Sequence, residues 1–195
     1  VNNWFNVVGK FAFDSYSEIR EERIDIGSSD VSDYTVTNRK ASEINYDIMG
    51  NFDYDLNDNL NINGLIGYNV RINNNNALLA STNGGLVTPG LFTLANSVNP
   101  LTSLDYGKSD YSKRVEGIFA KAGVDYKGTY YLDASIRKDK SSALPASNNE
   151  YYYPSVASTL IFSNLIKKDW LSFGKFRANY AEVGNDTSPY QIFNT

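Results

Sequence analysis

"INYDIMGNFDYDLNDNLNINGLIGYNV", from Ile44 to Val70, decides the fold. Its even positions up to the first turn are Tyr46, Ile48, Gly50, Phe52, Tyr54 and Leu56. Its odd positions are Asn45, Asp47, Met49, Asn51, Asp53 and Asp55. One set is apolar and the other almost entirely polar, the period-2 signature of a strand with one wet and one oily side. After "LNDN" the same parity resumes, with Leu60, Ile62, Gly64, Ile66, Tyr68 and Val70 on the apolar side. Two long strands therefore follow one another through a tight turn at Asn57 to Asn59.

The pattern extends in both directions. Phe5, Val7, Gly9, Phe11 and Phe13 alternate with Asn6, Lys10 and Asp14. Ile118, Ala120, Ala122 and Val124 alternate with Lys121 and Asp125, and Leu132, Ala134 and Ile136 with Asp133, Ser135 and Arg137. Val156, Leu160 and Phe162, then Phe176, Ala178 and Tyr180, complete a set of about seven strands. The connections alternate in length. "YKGT" at Tyr126 to Thr129 is a hairpin turn with Gly128 at positive φ, and "SNLIKKDW" at Ser163 to Trp170 is short. The polar stretch between Phe13 and Tyr46 extends both flanking strands, whereas Asn73 to Tyr106 and Lys138 to Asn149 read as long loops. Pro154 reads as the start of a strand, where a missing donor is tolerated.

Composition narrows the function. The 195 residues contain no Cys and no His, which excludes disulfides, thiolate zinc sites, imidazole metal ligands and Ser-His-Asp catalysis. A net charge of −4 offers no basic footprint for nucleic acid. Tyr and Phe are abundant, at 15 and 10 residues, which favours strands. No apolar run is long enough for a transmembrane helix. A mean hydropathy of −0.40 does not argue against an outer-membrane barrel, because half of each barrel strand is polar. The chain begins without Met or a signal-peptide pattern and reads as a section of a longer one.

Short turns at one end, long loops at the other and aromatic residues near strand ends fit an all-β, antiparallel up-and-down transmembrane barrel section. A soluble two-sheet sandwich that binds carbohydrate shares the alternation, and so does a passive porin or adhesin barrel. Small residues on the apolar face (Gly50, Gly64, Ala120, Ala122 and Ala134) favour contact with lipid over a packed interior.

A sharper signal starts at Arg114. "RVEGIFAKAGVDYKGTYYLDASIRKDKSSALP" is followed by "NNEYYYPSVASTLIFSNL" and "WLSFGKFRANYAEVGNDTSPYQ". With "STNGGLVTPGLFTLANSVNP" at Ser81 to Pro100, these strings resemble the barrel of SusC/RagA-type TonB-linked outer-membrane transporters of the Bacteroidetes. The resemblance covers nearly the whole chain and is weakest at Ser28 to Thr37. It implies a large barrel with an N-terminal plug that imports glycans or peptides. Energy would come through TonB, and a SusD-like surface lipoprotein would cap the mouth. Residues 1–195 would then be a partial barrel domain in the outer membrane of a Gram-negative bacterium, without plug or catalytic activity. About seven strands cannot close a cylinder of roughly 22, so two sheet edges would remain raw.

On this reading Asp47, Asp53, Asp55, Lys121, Asp125, Asp133 and Arg137 face the lumen. They either solvate the wall or form a polar track for cargo. Asn73, Asn74 and Asn75, in "RINNNN", are candidates for contact with substrate or lid, set against a solvated loop. Tyr151 and Tyr153, in "EYYYP", are candidates for stacking on cargo, set against a membrane-interface girdle. Glu21 and Glu22 would suggest glycosidase chemistry only with a third acid opposite. "GNDTSP" at Gly184 to Pro189 has turn chemistry and no phosphate-loop pattern. No cofactor is implied.

Overall fold

The computed structural model describes residues 3–166 and 168–184. Among the described residues nine strands run in chain order: β1 Phe5–Ile24, β2 Asp33–Asn57, β3 Leu60–Ser81, β4 Asn83–Leu86, β5 Ser97–Asn99, β6 Tyr106–Tyr126, β7 Tyr130–Ser141, β8 Glu150–Leu160 and β9 Phe176–Ala181. Single 3-10 turns lie at Leu94–Asn96 and Phe162–Asn164. Seven strands form one sheet in the order β1-β2-β3-β6-β7-β8-β9, and β4 pairs with β5 in a separate hairpin. This is an antiparallel up-and-down sheet, a section of an all-β barrel. The final turn motif, beyond Gly184, lies outside the described residues.

The chain divides into two compact units. The first holds the described residues of Val1–Ala12, Ile44–Ile72 and Lys113–Thr195. Here the period-2 reading holds residue by residue. Ala122 pairs with Ala134, which pairs with Val156, which pairs with Tyr180, all on the apolar face. One residue along, Lys121 pairs with Ser135 and Ser135 with Ser155 on the polar face. Among the described residues no second layer covers the apolar face. Ile48, Ile66, Ile118 and Leu132 are 57%, 64%, 56% and 54% exposed. Among the described residues the buried apolar side chains are only Tyr34, Val70, Ala80, Leu86 and Val115. A two-sheet sandwich would shelter those side chains in its interior, so the sandwich alternative does not hold.

The glycines of the apolar face have a different cause from the one expected. A Cβ on Gly64 would stand 2.4 Å from the Lys121 carbonyl and 2.7 Å from the Phe52 ring. At Gly50 the Phe5 ring would be 3.3 Å away. Rings from neighbouring strands lie across both glycines, which supplies the cross-strand contact that the missing side chain cannot.

The turns also carry detail. In the β6–β7 hairpin Lys127 (φ 57) and Gly128 (φ 56) are both left-handed, the geometry of a type I′ turn. The Thr129 amide donates to Tyr126 O at 3.1 Å. The Lys127 amide donates to Asn59 O at 2.7 Å, tying this turn to that between β2 and β3. The third connection expected to be short is not: β8 ends at Leu160 and β9 starts at Phe176. Nor does Pro154 start a strand. It is inside β8, opposite Ile136, and its carbonyl accepts from the Glu182 amide at 3.0 Å. The β8–β9 ladder ends at Ser155–Ala181, so the donor that Pro154 lacks falls where pairing stops.

The second unit holds Phe13–Glu43 and Asn73–Ser112. β1 and β2 run on through it as expected, up to the turn at residues 25–32. The stretch from Asn73 was read as loop and is not: β3 continues to Ser81, so Asn73 to Asn76 are strand residues. Cross-strand partners for amide side chains, given below, explain why an Asn run of poor β-propensity stays in the sheet.

Candidate functional site

In the first unit the polar face is a hydrogen-bonded track. Asn61 Nδ2 donates to Asp53 and Asp55 at 2.6 and 2.9 Å. Asn69 Nδ2 donates to Asn45 and Asp47 at 2.7 and 2.6 Å. Lys121 Nζ lies 2.9 Å from Asp133, and Arg137 Nε 2.6 Å from Asp139. Gly123 keeps the track continuous, since a Cβ there would stand 2.6 Å from Asn63 Oδ1 and 2.8 Å from Asp133 Oδ1. Six of the seven residues read as lumen-facing thus take part in side-chain pairs on one face. The seventh, Asp125, instead accepts from the Gly128 amide at 2.9 Å and fastens the hairpin turn. The face also carries an apolar patch. A Cβ on Gly67 would meet the Phe119 ring at 2.4 Å and Met49 Cγ at 3.0 Å, and the Arg137 guanidinium sits 5.5 Å from the Phe119 ring centre.

"EYYYP" divides by parity. Tyr151 pairs with Asp139 and Tyr153 with Arg137, both on the polar face. They line a small pocket of about 100 Å³ with Arg71, Val115, Asp139 and Ser141. Tyr152 pairs with Lys138 on the opposite face, is 57% exposed, and has the Lys138 ammonium 5.6 Å from its ring centre. An exposed ring beside a cation on the apolar face fits an interface girdle. The motif thus places Tyr151 and Tyr153 on one face and Tyr152 on the other.

In the second unit Asn73, Asn74 and Asn75 line a groove of about 400 Å³. Opposite them stand Asp14, Tyr16, Arg39, Glu43 and Tyr111. Asn73 Nδ2 donates to Glu43 at 2.9 Å, and Asn74 Nδ2 to Ser42 Oγ at 3.5 Å. Arg39 lies 3.7 Å from Glu18. The groove thus offers carboxylates, a guanidinium, amides and phenols, a mixed set able to bind hydroxyls or peptide groups. Sequence reasoning named the asparagines and missed the five side chains across from them. The signal was available in the continuation of β1 and β2 beyond Phe13 and before Tyr46.

The same unit is stapled by side chains. Tyr34 OH donates to Glu21 at 2.8 Å, and its amide donates to Thr82 Oγ1 at 3.0 Å. The Gly90 amide donates to Asp25 at 2.9 Å and the Leu86 amide to Ser32 Oγ at 2.9 Å. Buried Asn96 donates to Thr88 O and Leu91 O at 2.8 and 2.7 Å and accepts from the Thr88 amide at 3.0 Å. The Tyr34 hydroxyl, then Arg23, hold the Glu21 carboxyl below its ordinary value; Glu21 in turn pushes the Tyr34 phenol up. Glu22 pairs with Arg20 at 2.5 Å, so both members of the acid pair are engaged by neighbours.

No protein-family model and no curated protein matches the sequence. The fold does match solved structures. The RagAB peptide transporter superposes with a TM-score of 0.73 at 15% identity, over 93% of this chain and 21% of that one. The RagAB peptide importer in its closed-closed state gives 0.72 at 15% identity over 95% and 21%, and in its open-open state 0.72 at 14% over 93% and 20%. The chain thus spans about a fifth of the length of the structures it resembles. At this identity the likeness establishes a shared fold.

Proposed function

We infer that this chain is part of the wall of an outer-membrane nutrient importer. The observation that carries the reading is the sheet's asymmetry: one face apolar and exposed, the other polar and laced with side-chain pairs. Hydrocarbon on one side and water on the other would select that arrangement. The likeness to the RagAB peptide importer, together with the SusC-type sequence resemblance, supports active import of peptides or glycans over passive diffusion. On this reading TonB supplies the energy through segments outside this chain, and a SusD-like lipoprotein closes the mouth. The polar track is a solvated wall, and the groove around Asn73 touches cargo or lid. We read no covalent catalysis into the section, because its adjacent acids Glu21 and Glu22 are each tied to an arginine on the same strand.

The test is uptake of labelled peptide and oligosaccharide pools by cells carrying the full-length protein, with and without TonB. Loss of protein-dependent uptake in the TonB-deficient strain is expected. Uptake that persists without TonB would make the protein a porin.

A further inference from the structure

We propose that Arg71 anchors a carboxylate group at the end of the transported molecule. Arg71 lies on β3 and opens into the pocket of about 100 Å³ between the Tyr151 and Tyr153 rings. On β6 and β7 the neighbouring cations of the polar face are already neutralised, Lys121 by Asp133 and Arg137 by Asp139. Among the described residues no carboxylate lies within ion-pair distance of Arg71. Asp139 borders the same pocket, but Arg137 holds it at 2.6 Å. Among the described residues the pocket lining carries the Arg71 guanidinium and the Asp139 carboxylate, and Arg137, from outside the lining, already engages that carboxylate.

The chemistry selects the ligand class. A guanidinium is planar, weakly hydrated and matches a carboxylate through two parallel hydrogen bonds. The pocket volume admits a carboxylate and the carbon that bears it. The tyrosine rings are rigid walls that cost little conformational entropy to hold in place. The group bound is therefore the terminal carboxylate of an oligomer, from a peptide C-terminus or a uronic acid. The assignment rests on the importer reading for its physiological meaning, but the binding itself does not.

The experiment uses the purified full-length protein in lipid nanodiscs and isothermal titration calorimetry. The probes are N-acetyl-tetraalanine as free acid and as C-terminal amide, and trigalacturonate beside neutral galactotriose. The wild type should favour the acid of one pair by about tenfold or more, the range expected for a charge-assisted pair. Arg71→Met should abolish that preference and leave the neutral member unchanged. Which pair responds tells peptide from glycan. Should Arg71→Met fail to assemble, as judged by heat-modifiable mobility, Arg71→Lys is read instead. It keeps the charge and loses the fork, and should cut the preference several-fold.

Equal binding of acid and neutral probes by the wild type, no binding of either acid, or a preference that survives in the folded variant would overturn the assignment. TonB-dependent uptake alongside any of those results would leave the importer standing. TonB-independent uptake with an Arg71-dependent acid preference would do the reverse.

Discussion

The two units contain stretches of the same four strands, yet they obey different sequence rules. From Ile44 to Ile72 and after Lys113, apolar and polar residues alternate almost without break. From Phe13 to Glu43 the alternation dissolves into runs such as Arg20-Glu21-Glu22-Arg23, and Asn73 to Asn76 is amide on both faces. β1, β2, β3 and β6 are 20, 25, 22 and 21 residues long, well over the roughly 9–11 a membrane crossing requires. The lesson is that backbone pairing does not itself demand alternation. Two unlike faces do. Where both faces are wet, ion pairs, amide pairs and docked turns hold the sheet instead.

The comparison breaks most readily at Ala134. Placing Arg there should destabilise the membrane-inserted full-length barrel by about 2–4 kcal/mol, the cost of a cation on the lipid face near the midplane. Arg at Ser135, one residue along on the polar face, should be tolerated. Reversible urea titration in lipid vesicles checks both, and equal effects would refute the two-solvent account.

Gly64→Ala should follow, at about 1–3 kcal/mol, because its Cβ meets a backbone carbonyl that cannot rotate aside. Gly9→Ala, with nothing within 4 Å of its Cβ, is the control. The same titration reads both, and a neutral Gly64→Ala would mean that the Phe52 ring does not fix the local spacing.

The smallest effect lies in the other unit. Glu21 is held below its ordinary 4.5 by the Tyr34 hydroxyl first and Arg23 second. Its contribution to stability is therefore complete above pH 4.5 and is lost as pH falls through the lower, folded value. Carbon-13 NMR of the carboxyl should show that depressed midpoint, and Tyr34→Phe should raise it toward 4.5. A midpoint unmoved by Tyr34→Phe would remove the clamp from the account.

Most of the sheet was legible because a sheet with one apolar and one polar face writes a period of 2 into the chain. Asp53, Asp55 and Asp47 declared their face through Phe52, Tyr54 and Ile48 beside them. The β4–β5 hairpin was not legible, because at 4 and 3 residues its strands are too short for a period, and Asn96 and Ser97 hold it through side chains. The Asn73 run misled because its composition is that of a loop, whereas its partners Glu43 and Ser42 lie about 30 residues earlier. Lys127 was missed for the opposite reason: Gly128 explained the turn sufficiently, and nothing local marks a lysine with positive φ. At the candidate site, residue types were readable and their grouping was not, since Arg71 and Tyr153 meet only through register.

Pro154 has an effect out of proportion to the one hydrogen it lacks. Beyond it Glu150 to Tyr153 pair with β7, whereas among the described residues the β8–β9 ladder ends at Ser155–Ala181. Gly184 lies beside Tyr153, where a side chain would press to within 3.0 Å of the ring. An imino acid thus marks a boundary in the sheet: on one side of it two ladders flank β8, and just past it Tyr153 and Gly184 join Arg71 in lining a pocket.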